Sequence, residues 1–220
     1  MIEYVVSSNI DDRILARAAR VLESGGLVAL PTDTSWSLAC SLQSPAGIKK
    51  LRKLSGERDE RHFTLLCSDI SHFGELCNLD NSRFRLIKRL SPGPYVFILK
   101  TLLGTEKALD IRRRETGVRI PGHPVPLALL KTLQHPLYSI TAKKSMQERS
   151  ELAAAAEGEI ELPPIPEEDL FEGGWELDGI DGVDLVLDDG EERERTFSTI
   201  LDISGEDIKL LRQGAGLWPV

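Results

Sequence analysis

The sequence predicts a single α/β domain, because short apolar runs bounded by glycine and proline alternate with stretches of helical periodicity along its 220 residues. A chain of that length can bury roughly 70% of its unfolded surface and needs neither disulfides nor a structural metal. Apolar residues make up 41% and charged residues 28% of the chain, near the globular average, which argues against wholesale disorder.

Residues 1–6 alternate loosely and are expected as a short strand. Asp11-Asp12-Arg13 then leads into Ile14, Leu15, Ala18, Ala19 and Leu22 at helical spacing. Acidic residues in that first turn suit the helix dipole, and Gly25-Gly26 ends the helix. Residues 27–31 read as a buried strand delivering Thr32-Asp33-Thr34 into a loop. Residues 46–54 form an amphipathic helix with Ile48, Leu51 and Leu54 inward and Lys49, Lys50, Arg52 and Lys53 outward. A polar connection over 55–62 leads to a second buried strand over 63–67. Helices are expected around 70–77 and over 82–90, stopped by Ser91-Pro92-Gly93-Pro94. Strands follow over 95–99 and 117–120, then a helix over 124–133 and a strand over 137–141. Residues 150–180 are acidic, proline-rich and poor in periodicity, so they are expected as a flexible surface insertion. Strands resume over 183–188 and 197–203, and a last one is expected over 210–216. No internal repeat is visible.

The net charge of −8 conceals a division. Residues 1–149 carry 23 Lys/Arg against 15 Asp/Glu, and residues 150–220 carry 4 against 20. A phosphate-bearing ligand is therefore expected to prefer the first two-thirds of the chain. Basic stretches stand at Lys49–Arg61, Arg83–Arg89 and Arg112-Arg113-Arg114. They would attract a polyphosphate or an RNA backbone if they converge, and are otherwise solvated helix faces. The three cysteines, Cys40, Cys67 and Cys77, form no close-spaced pair, which points to a reducing compartment. No basic start followed by an apolar stretch opens the chain, and no run approaches a membrane span. The expected address is the cytoplasm.

Several familiar chemistries find no support. There is no GxxxxGK[ST] loop, no strand–GxGxxG–helix unit and no G-x-S-x-G elbow. The four histidines have no metal-ligand spacing, so no metal site is expected.

Three places could carry chemistry. In Pro31-Thr32-Asp33-Thr34 two hydroxyls flank a carboxylate after a buried strand, where α/β sheets present ligand-binding groups. The threonines could donate to a carboxylate or phosphate and Asp33 could accept from an ammonium; a strand-closing turn is the alternative. In Val118-Arg119-Ile120-Pro121 an arginine alternates with aliphatics, and its fork suits a carboxylate or phosphate. The alternative there is an internal salt bridge, with Asp33 as one partner. Ser198-Thr199 and Arg212-Gln213-Gly214 lie at the edges of expected strands near the carboxy end.

Taken in order, these pieces resemble the Sua5/YciO/YrdC nucleotide- and RNA-binding family. GGLVALPTDTSWSLAC resembles its opening signature, SPGPYVFILK its PGP segment and GVRIPGHPVPLALL its arginine block. VDLVLDDG and FSTILDISGEDIKLLRQGAG resemble its close, and HFTLLCSDIS points to the YciO-like branch. The resemblance implies a YrdC/RibB-like fold, a twisted mixed α/β sheet enclosing a large, concave, positively charged cleft. Enzymatic members make threonylcarbamoyl-AMP from threonine, bicarbonate and ATP, the first step of a tRNA modification. Other members are described as binding nucleotides and double-stranded RNA. The resemblance therefore implies a nucleotide, ATP or AMP, as ligand and RNA or tRNA as a partner. ATP with Mg²⁺ would be substrate, not a tightly bound cofactor; monomer and homodimer both fit.

Residue by residue, Thr34 (with Thr32 beside it) falls on the family's threonine-contacting position, and Arg119 on the arginine holding the substrate carboxylate. Ser198 and Arg212 fall on positions near the nucleotide. The enzymes also carry a Lys-x-Arg and a Ser-x-Asn pair that grip the phosphates. Here Ser55 and Glu57 stand at the first pair, and Thr141 and Lys143 at the second. Cys67 stands where the enzymes tend to have histidine. Adenylation develops charge on the α-phosphate and pyrophosphate, so an anion at Glu57 should weaken the grip on a triphosphate. The expected function is a YciO-like nucleotide- or RNA-binding protein with weak or altered synthase activity. The alternatives are a true threonylcarbamoyl-AMP synthase and a partner-binding module using residues 150–180.

Overall fold

The computed structural model describes residues 1–55, 63–102, 115–146 and 166–219. Glu57, Arg58, Arg61, His62, Arg112, Arg113, Arg114 and the first part of the acidic stretch lie outside them. Strand β1 (Ile2–Tyr4) precedes helix α1 (Asp12–Glu23), whose N-cap Asp11 accepts from the Arg13 amide at 2.8 Å. Gly25, at φ +87°, turns the chain out of the helix in the left-handed region. Strands β2 (Val28–Leu30) and β3 (Ser37–Ser41) follow, then α2 (Pro45–Ser55) and β4 (Thr64–Leu66). Next come α3 (Ser71–Leu76), α4 (Asn81–Leu90), β5 (Tyr95–Lys100), β6 (Glu115–Arg119), α5 (Pro124–Leu133) and β7 (Leu137–Thr141). Strands β8 (Leu185–Asp188), β9 (Thr199–Asp202) and β10 (Lys209–Arg212) are the last described strands, with short 3-10 turns at Lys144–Met146, Glu167–Asp169 and Gly174–Leu177 before them.

The described strands form one twisted mixed sheet in the order β1-β8-β2-β3-β7-β4-β6-β5-β9-β10. Alternation along the central strands divides the core into two layers. Val28 and Leu30 face one layer with Leu185, Leu187 and the inner faces of α1 and α5. Leu27, Ala29 and Val186 face the other, with residues of α2, α3 and α4. The central strands are covered on both faces and mostly apolar, which is why several of them read as continuous runs rather than alternation.

Three expectations change. Strand β3 was not expected, because its two serines disguise a strand whose five residues are all buried. The last strand ends at Arg212, not at 216, because Gly214 and Ala215 fold back onto Phe197: the Ala215 amide donates to the Phe197 carbonyl at 2.8 Å. A Cβ on Gly214 would stand 2.2 Å from that same oxygen.

The largest change concerns residues 150–180. Of these, 166–180 are built into the body of the fold. Leu170, Phe171, Leu177 and Ile180 are buried, and Leu170 bridges to Lys143. Asp169 accepts from both the amide and the hydroxyl of Ser145 at 2.6 Å. The Glu172 carbonyl receives the Trp36 indole N–H at 3.2 Å. The acidic residues lie on the solvent side of a segment that carries an apolar inner face, and the composition reports only the former. Phe171→Ala should lower unfolding free energy in urea by about 3–5 kcal/mol, the usual cost of emptying a buried aromatic site. The exposed neighbour Glu168→Ala should change it by less than about 0.5 kcal/mol. Equal, small effects would make the segment a dispensable surface insertion after all.

Candidate ligand-binding site

Strand β6 ends on Arg119, which is 5% exposed yet charged. Its guanidinium is held on two sides: Nη2 donates to Asp33 Oδ1 at 2.6 Å, and Nη1 donates to Ser198 Oγ at 2.7 Å and to Thr34 Oγ1 at 3.2 Å. The loop between β2 and β3 is shaped to offer those acceptors. Thr32 Oγ1 donates to the Ser35 carbonyl at 2.5 Å and receives the Thr34 amide at 3.2 Å, so the two threonines and Asp33 are fixed in one tight turn. The Gly122 amide donates to Asp33 Oδ1 at 2.9 Å, tying the turn to the chain just beyond Arg119. Both structural alternatives hold at this place: the turn is closed by its hydroxyls, and Arg119 pairs with Asp33.

Ser198 links this arginine to a second one. Arg212 Nε and Nη2 donate to the Ser198 carbonyl at 3.1 and 3.0 Å, and its guanidinium carbon lies 4.9 Å from the Phe197 ring centroid. Two cations thus flank one serine, with Asp33 as the carboxylate bonded to Arg119. Burial pulls the pKa of Arg119 below its ordinary value while Asp33 pulls it back. Burial also lowers that of Arg212, and the charge of Arg119 lowers it further. Arg119 Nε and Asp33 Oδ2 are buried with no hydrogen-bond partner among the described residues. A buried donor and a buried acceptor left without partners in one ion-paired group are what a ligand's polar groups complete.

Behind the turn lies a group that the sequence reading missed. Asp189, just past β8, accepts from Ser7 Oγ at 3.0 Å and from Arg193 Nη2, and lies 3.1 Å from His123 Nε2. His123 is the N-cap of α5, its Nδ1 accepting from the Val125 amide at 3.3 Å. With Nδ1 an acceptor, Nε2 carries the proton and donates to Asp189, so the imidazole is neutral. Signals were present in VDLVLDDG and in the Gly122-His123-Pro124 sequence, but nothing in either places them together.

The remaining expected residues are placed less centrally. Cys67 is buried beside Arg119, whose carbonyl receives the Cys67 amide at 2.9 Å. Burial holds its thiol pKa well above the ordinary range, so it is not a thiolate nucleophile. Ser55 closes α2 with its hydroxyl on the Arg52 carbonyl at 2.9 Å. Thr141 pairs with Ser37 at the end of β7, and the Lys143 backbone bridges Leu170. Neither is among the hydrogen-bond partners of Arg119. Of the basic stretches, Lys50 pairs with Asp184 and Arg83 with Asp80, so part of that charge is already satisfied. Among the described residues no group of three or more His, Cys, Asp or Glu could hold a metal ion, and no helix is long and apolar enough to cross a membrane.

The Sua5_yciO_yrdC family model, described as "Telomere recombination", matches residues 20–162. The chain belongs to this family. It is 28% identical to the uncharacterized protein YciO of Escherichia coli K12 over 214 residues, 97% of this chain and 95% of that one. The crystal structure of E. coli YciO superposes with a TM-score of 0.79, covering 99% of this chain and 97% of that chain at 25% identity. Mouse threonylcarbamoyl-AMP synthase is 30% identical over 136 residues, 62% of this chain and 48% of the mouse protein. Pyrococcus abyssi Sua5, solved in complex with L-threonine, shares the fold at a TM-score of 0.77 and 20% identity, over 97% of this chain and 57% of that one. As a member of the Sua5/YciO/YrdC family, the chain carries Thr34, Arg119, Ser198 and Arg212 in one hydrogen-bonded group.

His123 makes the cluster sensitive to pH. Burial, then the charge of Arg193, lowers its pKa below 6.5, while Asp189 and Asp33 pull the other way. The unfolded chain therefore binds a proton that the folded one does not as pH falls through 6.5. Stability should drop over that window, because a protonated Nδ1 cannot accept from Val125. Carboxylates such as Asp189, whose pKa is lowered from 3.8, lose their contribution only at more acid pH. Urea midpoints measured between pH 7.5 and 5 should fall, and His123→Asn should flatten the slope; an unchanged slope in that variant would assign the drop elsewhere.

Proposed function

We propose that this chain binds a small ligand of the class its family's synthases use, an amino acid such as threonine together with a nucleotide, at the Arg119 cluster. Its threonylcarbamoyl-AMP synthase-type activity is weak or altered. The observation that carries the reading is the open pair at Arg119 and Asp33. A buried guanidinium N–H and a buried carboxylate oxygen, each without a partner, complement the carboxylate and ammonium of an amino acid. Thr34 and Ser198 orient the guanidinium, and Arg212 leaves the group with more positive than negative charge, which favours an anionic ligand. Likeness in fold to a Sua5 solved with L-threonine supports the same reading. Altered chemistry follows from Ser55, whose hydroxyl closes its own helix and which brings no cation to a phosphate.

The test has two parts. L-Threonine should bind by calorimetry, and Arg119→Ala should weaken it roughly tenfold to a hundredfold, the worth of about 1.5–3 kcal/mol for charged hydrogen bonds. Arg119→Lys, which keeps the charge beside Asp33 but not the fork, should lose most of that affinity while folding normally. Threonine affinity untouched by either substitution would remove the reading. With threonine, bicarbonate, ATP and Mg²⁺, pyrophosphate release should be slow; rapid turnover abolished in the Arg119 variants would make the chain a full synthase.

A further inference from the structure

The loop from Asp189 to Ser198 is acidic in composition, yet it presents arginines to the interior. Glu191, Glu192 and Glu194 are exposed, whereas the side chains of Arg193 and Arg195 are 13% and 32% exposed. They are two of the four basic residues in the last 71 positions. Each guanidinium is anchored on one side: Arg193 Nη2 on Asp189, and Arg195 Nη2 on Glu172 Oε1 at 2.5 Å. The Arg193 guanidinium also lies 6.0 Å from the centroid of Trp36, two residues from Thr34. Glu172 gathers the group, since its carbonyl accepts from both Trp36 Nε1 at 3.2 Å and the Arg193 amide at 2.8 Å.

What this anchoring leaves open is the same atom on both residues. Nε of Arg193 and Nε of Arg195 are buried with no hydrogen-bond partner among the described residues, as is Nε of Arg119. A buried charged donor without an acceptor costs free energy, and such groups in folded proteins ordinarily have one. From Arg195 to Ser198 is three residues, at most roughly 11 Å of extended chain, so the two arginine groups share one loop.

We infer that Arg193 and Arg195 form a second anion-binding position for a phosphate or pyrophosphate group, beside the carboxylate position at Arg119. The inference rests on the ligand-binding reading of Arg119 and extends it: the full ligand set carries two anionic groups, one for each arginine group. Carboxylate partners Asp189 and Glu172 hold the guanidinium planes still, so the forks are set before the anion arrives. Phosphate supplies several acceptor oxygens and can meet two forks at once.

Calorimetry on the full chain with inorganic pyrophosphate and, separately, L-threonine tests this. In Arg195→Gln pyrophosphate affinity should fall at least tenfold while threonine affinity stays within twofold of the unsubstituted chain. Arg193→Gln with Arg195→Gln should abolish pyrophosphate binding. If that pair fails to fold because Asp189 loses its partner, Arg195→Gln alone decides. Pyrophosphate affinity unchanged in Arg195→Gln overturns the inference, as does absence of pyrophosphate binding to the unsubstituted chain at low salt. The two readings fail separately: pyrophosphate binding lost with Arg195 but no threonine binding at all sinks the Arg119 reading and keeps this one.

Discussion

The buried ion pair between Arg119 and Asp33 is the interaction on which the rest of the site depends. Removing a guanidinium from water costs several kcal/mol, and a single carboxylate offsets this only when further hydrogen bonds fill the remaining positions. Here Thr34 and Ser198 take Nη1, Asp33 takes Nη2, and Asp33 itself accepts from Gly122. These bonds join the β2–β3 turn, the end of β6 and the start of β9, three places far apart in sequence. Losing one partner would leave a buried charge uncompensated, so the cluster is constrained as a unit. That same constraint makes it a poor choice for stability alone, since apolar packing would serve as well. Arg119 Nε and Asp33 Oδ2, both buried without a partner among the described residues, leave the desolvation cost only partly offset.

Strand order and register explain how these places meet. Following the register from β8 through β2, β3, β7 and β4 to β6, the carboxy end of β8 and that of β6 lie at opposite ends of the sheet. Yet Asp189 beyond β8 bonds to His123 beyond β6. Twist reconciles the two. At about 20–25° per strand, five steps accumulate roughly 100–125°, enough to bring diagonal corners of a sheet toward each other across its concave face. Trp36, Asp33 and Arg193 lie where those corners approach. The site is therefore a property of the whole sheet, and no single βα unit contains it.

This also explains what could be read in the sequence and what could not. Thr34, Arg119, Ser198 and Arg212 were recognisable because their motifs are local: a turn, an alternating strand, a strand edge. Helix α5 was placed correctly because Pro124 and the apolar spacing behind it act within a few residues. By contrast, β3 was hidden because a strand buried on both faces next to polar turns has no alternation to show. In residues 166–180 the density of charge hides the apolar face formed by Leu170, Phe171, Leu177 and Ile180. Phe171, Leu177 and Ile180 join the buried layer that also holds Trp36 and Val186, and Leu170 bridges Lys143, partners that their own neighbourhood in sequence does not reveal. His123 and Asp189 lie 66 residues apart, and only the folded sheet joins them.

The charge division along the chain takes on a different meaning once side chains are oriented. Residues 150–220 are strongly acidic, which predicts that a phosphate-bearing ligand prefers the rest of the chain. Net charge describes the field at a distance, however, and not what a ligand meets at contact. At contact, the segment from Asp189 to Arg212 turns Arg193, Arg195 and Arg212 inward, and its glutamates 191, 192 and 194 outward. Asp189 and Glu172 are consumed in anchoring two of those arginines. The outward glutamates sit in high dielectric and are screened within about 8–10 Å at ordinary ionic strength. Inward arginines sit in low dielectric, where one unpaired N–H matters more than several solvated carboxylates. An acidic stretch can therefore turn three arginines inward while its net charge stays strongly negative.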